Sequence, residues 1–263
     1  MLPQVLIGGS RIVLTRRGTL RLAQSGLHLG DAALALSGVR VALDLHVAGE
    51  RVVALFDRRD AQTDIRLAST MLALDAVEYD HRLPHLASRV VTTARRVFVG
   101  STREVVAHTG RRIHEYPLDL AATEAELAIL DADGVTFYDA VGTRTGEVPL
   151  FAPAAIAVDR IEGGWLAAID GGVVHLVGPD STPRMIAPVA ERVRKVRRTR
   201  EAVYILVRNE VHAIRGDHVE LLGPLDHGTS QWNDFDAGPE GIARFAEAEP
   251  VGPQRWSVST RDG

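Results

Sequence analysis

The chain has 263 residues, 46% of them hydrophobic but only 5% aromatic, so Val, Leu, Ile and Ala must fill whatever core it forms. It contains no cysteine, which excludes disulfides, thiolate metal sites, iron–sulfur clusters and a thiol nucleophile. The formal net charge is −4, so no overall basic field advertises nucleic-acid binding, and Lys195 is the only lysine.

The first segment, Met1 to Gly9, reads as a strand with no basic leader and no cleavage pattern. No apolar run approaches the ~20 residues that span a bilayer. We expect a cytoplasmic protein with no membrane contact. Residues 1–30 hold three strands, QVLIGG, RIVLTRRG and TLRLAQSG. Residues 31–87 hold one stretched unit with strands VRVALDLHV, RVVALFD and MLALDAV, and with Arg58 to Arg66 as a long loop.

From Ser88 a regular sentence begins. The phrases VFVGSTREVVAHTGRR from Val97, LAILDADGVTFYDAVG from Leu127, LAAIDGGVVHLVGPD from Leu166 and VYILVRNEVHAIRGD from Val203 each read as apolar strand, turn, apolar strand, turn. They predict four-stranded units over Ser88 to Leu118, Asp119 to Phe151, Ala152 to Val189 and Ala190 to Leu225. Turn chemistry stands at the joints, as in Asp133-Gly134 and Gly171-Gly172. Stretches such as Val97 to Val99 are apolar without alternation, as strands covered on both faces should be. Residues 120–130 favour helix by composition, yet the repeat places a strand at Leu127 to Leu130. Asp226 to Gly263 is less regular, broken by Gly238-Pro239 and by Pro250 to Pro253, with IARFAEA and QRWSVST as strands.

A β-rich unit recurring at roughly 30 to 40 residues predicts an all-β propeller over residues 1–263, with six or seven four-stranded blades, seven favoured. A sheet ring must hide its edges, so Gln4 to Ile7 and Arg255 to Ser259 are expected side by side in one blade. A β-sandwich or a pair of small β-domains is the alternative architecture.

Val97, Phe98, Val99 and Gly100, followed by Thr109-Gly110, resemble the repeat of quinoprotein-like bacterial β-propellers. Asp133, Gly134, Tyr138 and Asp139, then Thr145, Gly146 and Glu147, continue the likeness over about 140 residues. The resemblance implies architecture. Its quinone-binding residues have no counterparts here, so no cofactor is expected.

Candidate chemistry is sparse. His81 and His85 are spaced for a helical metal site, but Pro84 lies between them and they read as loop residues. His108, His175 and His212 fall at three different strand positions, unlike a ring of metal ligands built by repetition. Asp131-Ala-Asp-Gly134 begins like a calcium loop but lacks the later oxygen ligands, so it reads as a hairpin turn. No nucleophile-elbow, zincin or phosphate-loop motif is present, and no catalytic residue is assigned.

The anomaly is ERVRKVRRTR, Glu191 to Arg200, which by register begins a unit and should lie beside the central channel. Its cations cannot all be buried unpaired. Arg194, Lys195, Arg197, Arg198 and Arg200 are therefore the candidate site for an acidic peptide or other polyanion, against a reading in which neighbouring acids neutralise them. The functional expectation is a non-enzymatic adaptor or scaffold that binds one or more proteins in an assembly. The alternative is a hydrolase or lyase with its site at the channel mouth.

Overall fold

The computed structural model describes residues 11–58, 64–83, 87–208, 210–224, 234–239, 241–245 and 257–259. Its secondary structure is strand and turn throughout, and no helix is long and apolar enough to cross a membrane. The first sheet is β1 Arg11–Thr15, β2 Gly18–Ala23, β3 Gly26–Leu29 and β4 Ala32–Leu34, and the second is β5 Val41–Ala48, β6 Arg51–Asp57, β7 Ile65–Met71 and β8 Val77–Arg82. The third comprises β9 Arg89–Thr92, β10 Val97–Gly100, β11 Glu104–Ala107 and β12 Arg112–Glu115. The fourth comprises β13 Asp119–Ala122, β14 Glu126–Leu130, β15 Gly134–Asp139 and β16 Arg144–Pro149. The fifth holds β17 Ala155–Val158, β18 Trp165–Ile169, β19 Gly172–Leu176 and β20 Arg184–Pro188. The sixth holds β21 Val193–Arg198, β22 Val203–Val207, β23 Glu210–Arg215 and β24 His218–Pro224. The last is β25 Asp234–Gly238, β26 Gly241–Phe245 and β27 Ser257–Ser259.

Each sheet is an antiparallel meander in chain order, and the first strand of each lies against the first strand of the next, with β25 returning to β1. This is a β-propeller ring. The favoured count of seven four-stranded blades is corrected: six sheets are four-stranded, and the last has three strands among the described residues. The expected pairing of Gln4 to Ile7 with the C-terminal strand lies outside the described residues. The described closure is between β25 and β1.

The four regular units fall where the repeat places them. The N-terminal half needs corrections. Ile65 and Arg66 belong to β7, paired with Asp57 and Phe56, rather than to a loop. MLALDAV is not a strand: Met71 ends β7, a turn with Leu74 at φ 56° follows, and Val77 opens β8. Within Asp226 to Gly263, β26 and β27 fall in IARFAEA and QRWSVST as read, while β25, Asp234–Gly238, was not anticipated.

Alternation across packed sheets explains why helix-favouring residues make strands at 119–130. In β14, Leu127 and Ile129 pack toward the third sheet with Phe98, while Ala128 and Leu130 pack toward the fifth with Trp165. A helix would carry these four around its axis and could not serve two opposed seams. Gly134 is required at the next turn: its φ is +150°, and a Cβ would come within 2.2 Å of the Val148 carbonyl. Apolar clusters fill every seam from the first two sheets to the last two, each with side chains from both neighbours.

The meander sets two faces. Turns from first to second and third to fourth strands lie on one; turns from second to third strands and the links to the next sheet lie on the other.

Candidate functional site

The basic strand is β21, in the inner ring beside the channel, as its register predicts. Val193 and Val196 are buried in the seam with the fifth sheet, and a bulge between Val193 and Lys195 resets the alternation. Lys195 and Arg197 then reach β25, where Lys195 pairs with Asp234 and Arg197 with Asp236. Arg198 turns the other way, to Asp159 at 2.9 Å and Glu162 at 2.6 Å. Arg194 donates to the Arg208 carbonyl at 3.0 Å, and Arg200 is exposed. Three of the five candidate anion-binding residues thus already face carboxylates of this chain.

Those carboxylates have a second task. Asp234 accepts the Ile12 amide at 3.2 Å and Asp236 accepts the Leu14 amide at 2.8 Å, so β25 grips the backbone of β1 through side chains. Arg160, just past β17, pairs with Asp236 and donates to the Leu14 carbonyl at 2.8 Å. Burial alone would raise the Asp236 carboxyl, but Arg160, Arg197 and Lys195 together hold it well below the usual carboxylate range. Burial lowers the Lys195 ammonium, and Asp234 offsets part of that.

The same device recurs around the ring. Arg11 donates to the Leu43 carbonyl at 2.8 Å, joining β1 to β5. Asp44 accepts the Val90 amide at 2.8 Å and His46 Nδ1 accepts the Thr92 amide at 3.2 Å, joining β5 to β9. Arg89 bonds Asp119 at 3.3 Å, and Asp119 accepts the Ile156 amide at 3.0 Å, carrying the chain of contacts through β13 to β17. Arg198 with Asp159 ties β21 to the end of β17. Every joint between first strands therefore has a polar link between neighbouring inner segments. Sequence reading missed Asp44, His46, Asp119, Asp234 and Asp236; the alternating pairs Asp44-Leu-His46 and Asp234-Phe-Asp236 were its available signal.

On the face of the first-to-second turns the ring encloses a cavity of about 600 Å³, lined by the ends of β1, β5, β13 and β17 with His46, Arg160, Arg197 and Asp236. Its wall mixes apolar and charged groups. His46 also bonds the Ala122 backbone; burial, with Arg160 and Arg197 nearby, lowers its pKa to about 4. It is a neutral imidazole with both nitrogens engaged, Nδ1 as acceptor.

Among the described residues one grouping has metal-ligand composition: Asp159, Glu162 and His175, with ligand atoms within 4.8 Å of one another. Arg198 already supplies the cation there, and His175 Nε2 donates to the Gly163 carbonyl at 2.8 Å. The grouping is an ion-pair cluster built around a guanidinium. His81 lies on β8 against Tyr79, not in a loop, while His85 lies outside the described residues. Asp131 Oδ1 accepts the Asp133 and Gly134 amides and its other oxygen bonds His114, which makes the calcium-like run a hairpin turn.

No protein-family model matches the sequence, and no curated protein does. Solved structures do. The β-propeller domain of Cps50 (Swd1) from Myceliophteria thermophila is similar at TM-score 0.63 and 10% identity, over 90% of this chain and 93% of that one. The WD40 domain of Neurospora crassa Pan2 is similar at TM-score 0.53 and 10% identity, over 84% and 76%. PorZ, an essential bacterial surface component of the type-IX secretion system of Porphyromonas gingivalis, is similar at TM-score 0.55 and 12% identity over 97% of this chain; the match spans 39% of PorZ. At such identities the likeness establishes the β-propeller fold and nothing beyond it.

Proposed function

We propose that this protein is a non-enzymatic interaction module, an adaptor or scaffold subunit of a multiprotein assembly. The observation that carries the reading is a rigid ring with large apolar side chains standing in solvent on one face: Tyr116 is 70% exposed and Phe151 75%. The titratable groups of the channel support the same reading, because Asp236, Asp159 and His46 are each committed to holding one inner segment against another. PorZ, a component of a secretion system, offers a precedent for a propeller as an assembly part. The finer likeness to quinoprotein-like bacterial propellers rests on the repeat phrases from Val97 to Glu147 and belongs to this proposal as architecture. An anion-recognition role for the basic run would require Lys195, Arg197 and Arg198 to exchange internal carboxylates for a ligand.

The test is purification of the tagged chain from its native host under several extraction conditions, with the mass of the complex measured by light scattering. A stoichiometric protein partner is expected. A clean monomer under every condition overturns the reading. A second reading, a hydrolase or lyase at the channel mouth, draws on the charged lining of the 600 Å³ cavity. It would require Asp236 to act chemically while bound by Arg160, Arg197 and the Leu14 amide.

A further inference from the structure

The face opposite the cavity carries a repeated device. The link from β12 to β13 contains Tyr116-Pro117 and the link from β16 to β17 contains Ala152-Pro153, and in both the residue before proline is left-handed, with φ 50° and 45°. Non-glycine residues rarely hold that conformation, and it persists where surrounding structure imposes it. Large apolar side chains stand in water beside it: Tyr116 and Leu118 in the first link, Phe151 in the second.

Between and beside them stand carboxylates. The Leu118 amide bonds the Leu130 carbonyl at 2.7 Å, which brings the first link to the turn holding Asp133. The Leu150 amide bonds the Asp133 carbonyl at 3.1 Å, and the Asp170 amide bonds the Phe151 carbonyl at 3.4 Å. Going around the face, the order is Tyr116 and Leu118, then Asp133, then Phe151, then Asp170. Asp133 and Asp170 are exposed. Arg103 stands at one end of this arc, where its carbonyl takes the Tyr116 amide, and the link that carries Arg192 stands at the other, where the Val189 amide bonds the Gly171 carbonyl at 3.1 Å. Asp133 and Asp170 lie between those ends.

We propose that Tyr116, Leu118 and Phe151, with Asp133 and Asp170, form the docking surface for an arginine-rich segment of a partner protein. This rests on the adaptor reading and names the partner's chemistry. A guanidinium stacks on an aromatic face and pairs with a carboxylate at the same time, so alternating rings and carboxylates suit successive arginines. The same carboxylates repel a nucleic-acid backbone and an anionic lipid surface.

The probe is a fluorophore-labelled oligoarginine peptide titrated into the full chain, with oligolysine and oligoglutamate for comparison. Wild type is expected to prefer oligoarginine to oligolysine, and to bind it less tightly as salt rises. Phe151→Ala with Tyr116→Ala should weaken binding at least about tenfold with melting unchanged, since both rings are exposed. Asp133→Asn with Asp170→Asn should do likewise, whereas Asp31→Asn with Asp217→Asn, which removes the same charge from exposed turns of the other face, should leave binding intact. Equal loss in both double amide variants means attraction to net charge alone and overturns the proposal, as does binding that ignores the aromatic substitutions. A concentration-dependent dimer abolished by Phe151→Ala assigns the face to a second copy and also overturns it. None of these failures removes a partner found by purification of wild type, so the adaptor reading stands or falls separately.

Discussion

Two seams of the ring hold together by opposite means. Between the fourth and fifth sheets Trp165, Phe137, Leu130 and Leu176 are fully buried, with the two rings 5.9 Å apart, and Asp119 adds one carboxylate-to-amide bond at the inner edge. Between the last sheet and the first, the apolar groups clustered on β1 are only Ile12 and Leu14 among the described residues, and Asp234 and Asp236 bind their amides while β21 and Arg160 neutralise the carboxylates. The regular seam relies on area removed from water; the closing seam relies on charge-assisted hydrogen bonds that are strong only while every partner is present. Among the described residues the closing seam thus shares little apolar surface, and it is sensitive to single polar losses.

The largest effect is expected from Asp236→Ala. It removes the carboxylate that Arg160 and Arg197 share and leaves the Leu14 amide without its acceptor, and removing one partner of a buried charged network costs about 3–5 kcal/mol. Urea unfolding measures this, and a loss under 1 kcal/mol would show the closing seam to be dispensable. Trp165→Ala should cost a similar ~3–5 kcal/mol through the cavity it leaves in the apolar seam. The two differ in their response to apolar replacement: Trp165→Phe should recover much of its loss, whereas Asp236→Leu should recover none, because an apolar side chain supplies no acceptor.

A step smaller is the pH response of His46, at the β5–β9 joint. Its pKa is depressed in the folded chain to about 4 from an ordinary 6.5. A depressed histidine favours the neutral form, so its contribution is complete above pH 6.5 and is lost as pH falls toward 4, by ~3 kcal/mol for the whole shift. The Asp236 carboxylate adds its own loss only in more acid solution, because its folded pKa is lower still. His46→Gln should flatten stability between pH 6.5 and 4 relative to wild type; an unchanged slope would place the titration elsewhere. The smallest effect belongs to Arg200→Glu, in the exposed turn after β21, expected within ~0.5 kcal/mol of wild type in the same unfolding assay. A larger loss would mean that this cation also carries structure.

What the sequence made legible follows from the same contrast. Apolar seams write themselves as runs, so Val97 to Val99, Leu127 to Leu130 and Leu166 to Ala168 announced strands covered on both faces, and the units from Ser88 to Leu225 could be bounded. Polar seams do not. Asp234-Phe-Asp236 is a strand whose charged residues point along the ring, and by composition alone it resembles a turn. The basic run stood out because six of the ten residues from Glu191 to Arg200 are Lys or Arg, but the acids lie 39 positions on for Lys195 and Arg197 and 39 positions back for Arg198, at Asp159. Only the closure of the ring brings them together. Residue type did not mark Tyr116 and Phe151 as exposed; they stand in links that hold left-handed residues, a backbone feature that composition does not show.

Amide hydrogen exchange at Ile12 and Leu14 tests most directly whether carboxylates close this ring. Both amides bond side chains rather than a neighbouring strand's backbone, so their protection depends on Asp234 and Asp236. The expected result is slow exchange in wild type, like that of Val90 and Ile156 at the other joints, with Leu14 losing protection selectively in Asp236→Asn while Ile156 keeps its own. Fast exchange of both amides in wild type, or protection at Leu14 unchanged by the substitution, would contradict it.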